Sequence, residues 1–238
     1  SPFNDVWSSS NGGVTWNQVT ASAVWGARGY HSSVVHDNNI YVMGGFNFAG
    51  TYFGSVWRSS NSGASWSLLA STAVWGGRHS HKSVVYNNKI YVIGGRAAAV
   101  QVNDVWSSVN GVDWIQVSAS AGWSIRQSHS SVVHDDKIYV MGGEGTAGFL
   151  SDVWSSSDGG ITWVEVTALA AWGARGYHSS VVHDNNIYVM GGSKSGVTLE
   201  DVWISIDGGG SWSEIISASG YGTRRMHTSV VYNNLIYV

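Results

Sequence analysis

Apolar and polar positions alternate along this chain in short bursts, and the bursts come back at a fixed interval. One such stretch runs His31 to His36, with Ser32, Val34 and Val35 inside it, and is followed by Asp37-Asn38-Asn39. Next comes Ile40 to Met43, halted by Gly44-Gly45, and then a second pair, Val56 to about Ser59 and Ser65 to about Leu69. Short runs rich in β-branched and aromatic residues, bounded by turn residues, predict strands and not helices. We label them A, B, C and D. The A–B turn uses Asp and Asn because both tolerate left-handed backbone angles. Several of these strands are apolar on both faces, the pattern of a sheet packed between two others.

The same unit recurs five times. Asp-Val-Trp stands at Asp5–Trp7, Asp104–Trp106, Asp152–Trp154 and Asp201–Trp203, with Ser55–Trp57 as a variant. Arg28, Arg78, Arg126, Arg175 and Arg224 mark a second register, and Ile-Tyr-Val at Ile40, Ile90, Ile138, Ile187 and Ile236 a third. Each steps by 48 to 50 residues. Asp5–Gly45 and Asp152–Gly192 differ at only six of 41 positions. Every repeat has three aromatic slots, and the 14 tryptophans fill all of them but one, which Tyr221 takes. A four-stranded unit of this length is the size of one propeller blade.

Two family resemblances rest on these residues. Arg-x-x-His before a Val-Val strand, then Ile-Tyr-Val-Met-Gly-Gly and a variable loop into Asp-Val-Trp, resembles a kelch repeat. The C–D turn resembles the Asp box of sialidase-type propellers: Ser156 to Trp163 fits at every position, and Ser205 to Trp212 fits with Ser211 in the Thr place. Asn11 and Asn61 replace the Asp in the first two repeats, and the third turn, around Asn110, is one residue short. The resemblance implies a structural role for Asn11, Asn61, Asn110, Asp158 and Asp207. Physically, a short carboxylate or amide bonds the backbone of its own turn, and the following Trp buries against the strands. One Trp buries about 150–250 Å², an upper bound of roughly 4–6 kcal/mol at ~25 cal/mol/Å².

The fold class that follows is all-β, a five-bladed β-propeller of four-stranded antiparallel blades in one domain, 1–238. Blades are expected at about 27–70, 77–118, 125–167 and 174–216. A composite blade is expected from 223–238 and 1–20, with N-terminal strands C and D completing C-terminal A and B, because open blades leave unpaired edges. The rival is an excerpt of a longer array, since the last repeat stops before its Gly-Gly.

Composition narrows the partners. A net charge of −3 with 12 basic residues argues against nucleic acid, whose phosphates need clustered Lys and Arg. No apolar run approaches the roughly 20 residues of a membrane span, and Ser1 to Asp5 shows no signal-peptide features. Absence of cysteine excludes disulfides and thiolate chemistry. Few lysines and a Ser/Thr/Gly/Trp-rich surface point to an extracellular or cell-surface setting, and a monomer is expected.

Candidate chemistry gathers on the face shared by the D–A and B–C loops. The D–A loops carry Trp25/Arg28, Trp75/Arg78, Trp123/Arg126, Trp172/Arg175 and Tyr221/Arg224; the B–C loops are the variable part of each repeat. Five guanidiniums can hold a carboxylate or acidic sugar bidentately, or stack on the tryptophans and bond carbonyls between blades. The loop tryptophans either cover blade junctions or offer flat faces to sugar rings. His31, His81, His129, His178 and His227, each three residues after an Arg, read better as hydrogen-bonding groups than as a metal ring. No metal or cofactor is expected. Both enzyme resemblances fail on the residues: galactose oxidase needs a cysteine-linked tyrosine, and the glutamates Glu144, Glu165, Glu200 and Glu214 form no convergent set. The expected function is therefore non-catalytic: lectin-like glycan recognition on the D–A/B–C face, or a kelch-type protein-interaction scaffold, with a sialidase-like hydrolase disfavoured.

Overall fold

A computed structural model describes residues 2–47 and 49–238. All of its regular structure is β. An N-terminal hairpin, β1 (Val6–Ser8) and β2 (Asn17–Thr20), precedes a four-stranded sheet of β3 (Ser32–His36), β4 (Asn39–Met43), β5 (Val56–Ser59) and β6 (Ser67–Ala70). The second sheet adds a two-residue strand, β7 (Arg78–His79), to β8 (Lys82–Tyr86), β9 (Lys89–Ala97), β10 (Val100–Ser108) and β11 (Ile115–Ser118). The third holds β12 (Ser130–His134), β13 (Lys137–Gly145), β14 (Gly148–Ser156) and β15 (Val164–Thr167). The fourth holds β16 (Ser179–His183), β17 (Asn186–Lys194), β18 (Val197–Ser205) and β19 (Ser213–Ile216). A C-terminal hairpin, β20 (Val230–Tyr232) and β21 (Leu235–Tyr237), ends the chain. Each sheet is an antiparallel meander in the order A-B-C-D. The A strands β3, β8, β12, β16 and β20 adjoin in series around a central channel.

The core lies between sheets. One cluster joins Val84, Tyr91, Ile93 and Val105 of the second sheet to Trp123, Ile138 and Val140 of the third; another joins the third to Trp172, Ile187 and Val189 of the fourth. Apolar residues on both faces of strand B, such as Ile138, Tyr139, Val140 and Met141, are buried for this reason.

Two expectations change here. The Gly-Gly pair does not stop strand B in the second to fourth sheets; β9, β13 and β17 run through it as a bulge. Its positions demand glycine: a Cβ on Gly142 would stand 3.0 Å from the Arg175 carbonyl of the next sheet, and one on Gly143 2.8 Å from Cβ of His129 in its own. The composite blade is not formed either. β1–β2 and β20–β21 are separate two-stranded sheets. In the complete sheets, strand-B tyrosines lie under the C–D turn of the next sheet: Tyr41 under Gly111, Tyr91 under Gly159, Tyr139 under Gly208. Tyr237 lies in the same way under Gly12, its Oη 2.5 Å from a Cβ placed there. The N-terminal hairpin thus stands one position beyond the C-terminal one. The same wedge thus recurs at Tyr41, Tyr91, Tyr139 and Tyr237.

Candidate functional site

The loop arginines turn inward. Arg78 Nη1 and Nη2 donate to Asp104 at 2.7 and 2.9 Å, Arg126 to Asp152 at 2.7 and 2.6 Å, and Arg175 to Asp201 at 2.7 Å for both. Nη1 also donates to the Gly94, Gly142 and Gly191 carbonyls, and each guanidinium lies over its own loop tryptophan at 5.5 to 5.8 Å. The same aspartates accept from Trp106, Trp154 and Trp203 Nε1 at 2.7 to 2.8 Å. In the first sheet Ser55 replaces the aspartate. There Arg28 bonds Gly44 O and Ser55 Oγ and stacks on Phe53 at 4.1 Å, and burial lowers its pKa to about 10.

These bonds correct the expected ligand ring. Arg28, Arg78, Arg126 and Arg175 are at most 3% exposed, and Trp25, Trp75, Trp123 and Trp172 at most 6%. The four indoles stand edge-on against Trp66, Trp114, Trp163 and Trp212, so none offers a face to a sugar. Only Tyr221 and Arg224, where Arg224 lies 4.7 Å over the Tyr221 ring, remain partly open. The partners were visible in sequence: each paired Arg has an Asp 26 residues later.

At the opposite end, the C–D turns close on themselves. Asp158 accepts from Ser156 Oγ, Ile161 N and Thr162 N and Oγ1; burial raises its pKa, but the Thr162 bonds outweigh this and lower it. Asp207 does the same with Ser205 and Ser211, whose bonds hold it down to about 2. Asn11 and Asn61 reproduce the pattern with amide oxygens, and the shorter Asn110 turn bonds Val112 N and Asp113 N.

What the D–A/B–C face displays is a different set. The residue two after each loop Arg has positive φ in all five repeats: Tyr30, Ser80, Ser128, Tyr177 and Met226, at 54 to 61°. Their backbones form a chain around the channel, Ser80 N to Tyr30 O, Ser128 N to Ser80 O, Tyr177 N to Ser128 O and Met226 N to Tyr177 O, each 2.9 Å. Non-glycine residues seldom adopt this conformation, and here the hoop of hydrogen bonds holds it. On one side of the mouth His79 meets Tyr30, Phe46 and Tyr52, with Tyr52 stacked at 5.2 Å. On the other, Glu144 accepts from Gln127 and Tyr177, both at 2.9 Å, and Phe149 abuts Tyr177. A cavity of about 230 Å³ lies among Tyr30, Phe46, His79, Arg96, Gln127 and Tyr177. The signal for these residues was variation beside constancy: Tyr, Ser, Ser, Tyr and Met between an invariant Arg and an invariant His.

Below the mouth the channel opens into a cavity of about 580 Å³, floored by the A strands. The histidines tie neighbouring strands: His81 Nε2 to Ser32 Oγ, His178 to Ser130 and His227 to Ser179, at 2.7 to 2.8 Å. Burial, then the adjacent arginines, hold His81, His129 and His178 well below the usual imidazole range; His31 and His227 fall to about 4 for the same causes. Among the described residues no group of three His, Asp or Glu is arranged to hold a metal, and no helix is long and apolar enough to cross a membrane.

Compared with families of known proteins, the KLHDC2/KLHL20/DRC7 Kelch-repeats domain matches at residues 1–143 and again at 62–238, which together span the chain. The chain belongs to the kelch-repeat family. Among solved structures, that of YjhT superposes on this kelch chain with a TM-score of 0.75 at 18% identity, over 93% of this chain and 79% of that one. At that identity the likeness speaks to the fold, a kelch β-propeller. No curated protein matches the chain.

Proposed function

We propose that this kelch domain is a non-catalytic binding propeller that seats a segment of a partner protein over the channel mouth. Kelch-repeat domains generally mediate protein interaction, and the observation that carries the reading here is the asymmetry of the mouth. Aromatic rings and Arg96 stand on one side, and the hydrogen-bonded Glu144 with Tyr177 on the other. Arg96 Nε is buried without a hydrogen-bond partner, so a donor already removed from water waits for an acceptor. Aromatic and arginine side chains around a partly desolvated pocket are the usual composition of interface hot spots. The C–D turns, at the far end, we read as structural, in keeping with their resemblance to the Asp box.

A glycan reading needs repeated, equivalent sites, and the loop tryptophans that would form them are buried. The test is a peptide-library selection on the immobilised chain beside a glycan array, each repeated with Tyr52→Ala/Arg96→Ala. A peptide consensus whose affinity drops at least about tenfold in the variant supports the proposal. Saturable glycan binding without peptide enrichment replaces it with the lectin reading.

A further inference from the structure

We propose that the channel, beneath the mouth and independently of it, binds one small oxyanion at Lys82. One repeat is broken at the level of the channel histidines. The residue after each channel histidine is Ser32, Ser130, Ser179 or Thr228 in four strands and Lys82 in the other. The three serines each bond the histidine of the next sheet. Where Lys82 stands, that bond is missing: His129 is fully buried, and neither ring nitrogen has a partner. The lysine therefore removes a structural contact and supplies none in return.

Its charge is also unanswered. Among the described residues Lys82 makes no ion pair or hydrogen bond, and none of the residues lining the 580 Å³ cavity is a carboxylate. Lys82 is partly buried on the cavity wall, so its ammonium is partly stripped of water without a counter-charge to offset the loss, and that desolvation lowers its pKa. Lys82 lines the cavity together with His31, His81, His178 and His227, which come from four different repeats. Ser131 and Ser180 Oγ, both on the cavity wall, are buried without partners. One ammonium with free hydroxyl donors and no acid suits a compact anion with two to four oxygens, whose bonds would be charge-assisted. Inorganic phosphate or sulfate and the carboxylate of a small organic acid share that chemistry.

Lysine labelled with ¹³C at Cε reads the site directly, because the chain has only four lysines: Lys82, Lys89, Lys137 and Lys194. Phosphate, sulfate, acetate and malonate are titrated separately, with calorimetry alongside. The expected result is saturable one-to-one binding that moves the Lys82 signal and raises its pKa. Binding should weaken at least about tenfold in Lys82→Ser, which restores the hydroxyl of the other strands. Lys82→Met, matching the length without the charge, guards against a folding defect, and Lys89→Met, an exposed lysine outside the channel, should leave binding unchanged. Response to phosphate and sulfate alone assigns a free inorganic ion, and response to acetate or malonate assigns a carboxylic acid. Failure of all four probes to move the Lys82 signal, or equal binding in the folded Lys82→Ser and Lys82→Met variants, overturns the proposal.

Discussion

Replacing Asp152 by Ser should destabilise the fold by about 3–5 kcal/mol, the cost of removing one partner from a buried ion pair. Arg126 is fully buried and would keep its charge, its bond to the Gly142 carbonyl and its place over Trp123, but lose both bonds to the carboxylate. The Trp154 Nε1 donor would lose its acceptor as well. The chain itself contains the control. In the first sheet Ser55 stands in the aspartate position, and Arg28 is held by Ser55 Oγ and by the Phe53 ring at 4.1 Å. The corresponding residue in the third sheet is Leu150, so Asp152→Ser alone installs the serine without the ring. Asp152→Ser/Leu150→Phe should recover about 1–2 kcal/mol, the value of a desolvated cation–π contact. Urea unfolding followed by tryptophan fluorescence measures both. With a slope of about 2–3 kcal/mol/M, the single change should lower the midpoint by roughly 1–2 M. A loss below about 1 kcal/mol would show that the carbonyls and indole alone satisfy Arg126 and would refute this reasoning.

Two further outcomes follow from the interior. His81, His129 and His178 are neutral in the fold and titrate near 6.5 once unfolded, so the unfolded chain binds more protons below that value. Stability should be level above about pH 7 and fall on acidification, each imidazole contributing on the order of 1 kcal/mol per pH unit; identical urea midpoints at pH 7.5 and pH 5 would contradict the buried neutral state. Gly143→Ala puts a Cβ at φ +101° and 2.8 Å from both the Gln127 carbonyl and His129 Cβ, and a loss of roughly 2–4 kcal/mol in thermal melts is expected.

Strands, turns and repeat length were legible because each depends on local sequence: Asp37 and Asn38 do take left-handed angles, and the Ile-Tyr-Val runs are strand B in every repeat. Kelch membership was legible for the same reason. Closure was not. The turn per sheet is set by contacts 50 to 70 residues apart, such as Tyr41 under Gly111, and no count of repeats contains that angle. The arginine ring was legible as a register but not as a direction, since only the fold shows that Asp104, Asp152 and Asp201 capture it. Reading the loop tryptophans as sugar platforms failed because the residue that packs them, Trp66, Trp114, Trp163 or Trp212, belongs to the next strand pair along. The mouth residues and Lys82 are departures from the repeat, and a search for sameness passes over them.

The sheets differ in how firmly their neighbours hold them. The four complete sheets lean on one another through buried clusters and a hoop of backbone bonds, whereas among the described residues Tyr30 meets Met226 through a 3.6 Å contact from its hydroxyl to sulfur, and Tyr237 lies under Gly12. In a repeat array each unit is stabilised by its nearest neighbours, and units at an end open before those in the middle. Trp7 and Trp16, 47% and 55% exposed, sit at one such end, while the corresponding Trp154 and Trp163 are mostly covered. Amide exchange should therefore grade around the circle, fastest at β1 and β21 and slowest in β9 and β13. The channel is thus lined by strands of unequal stability, firmest along β8 and β12.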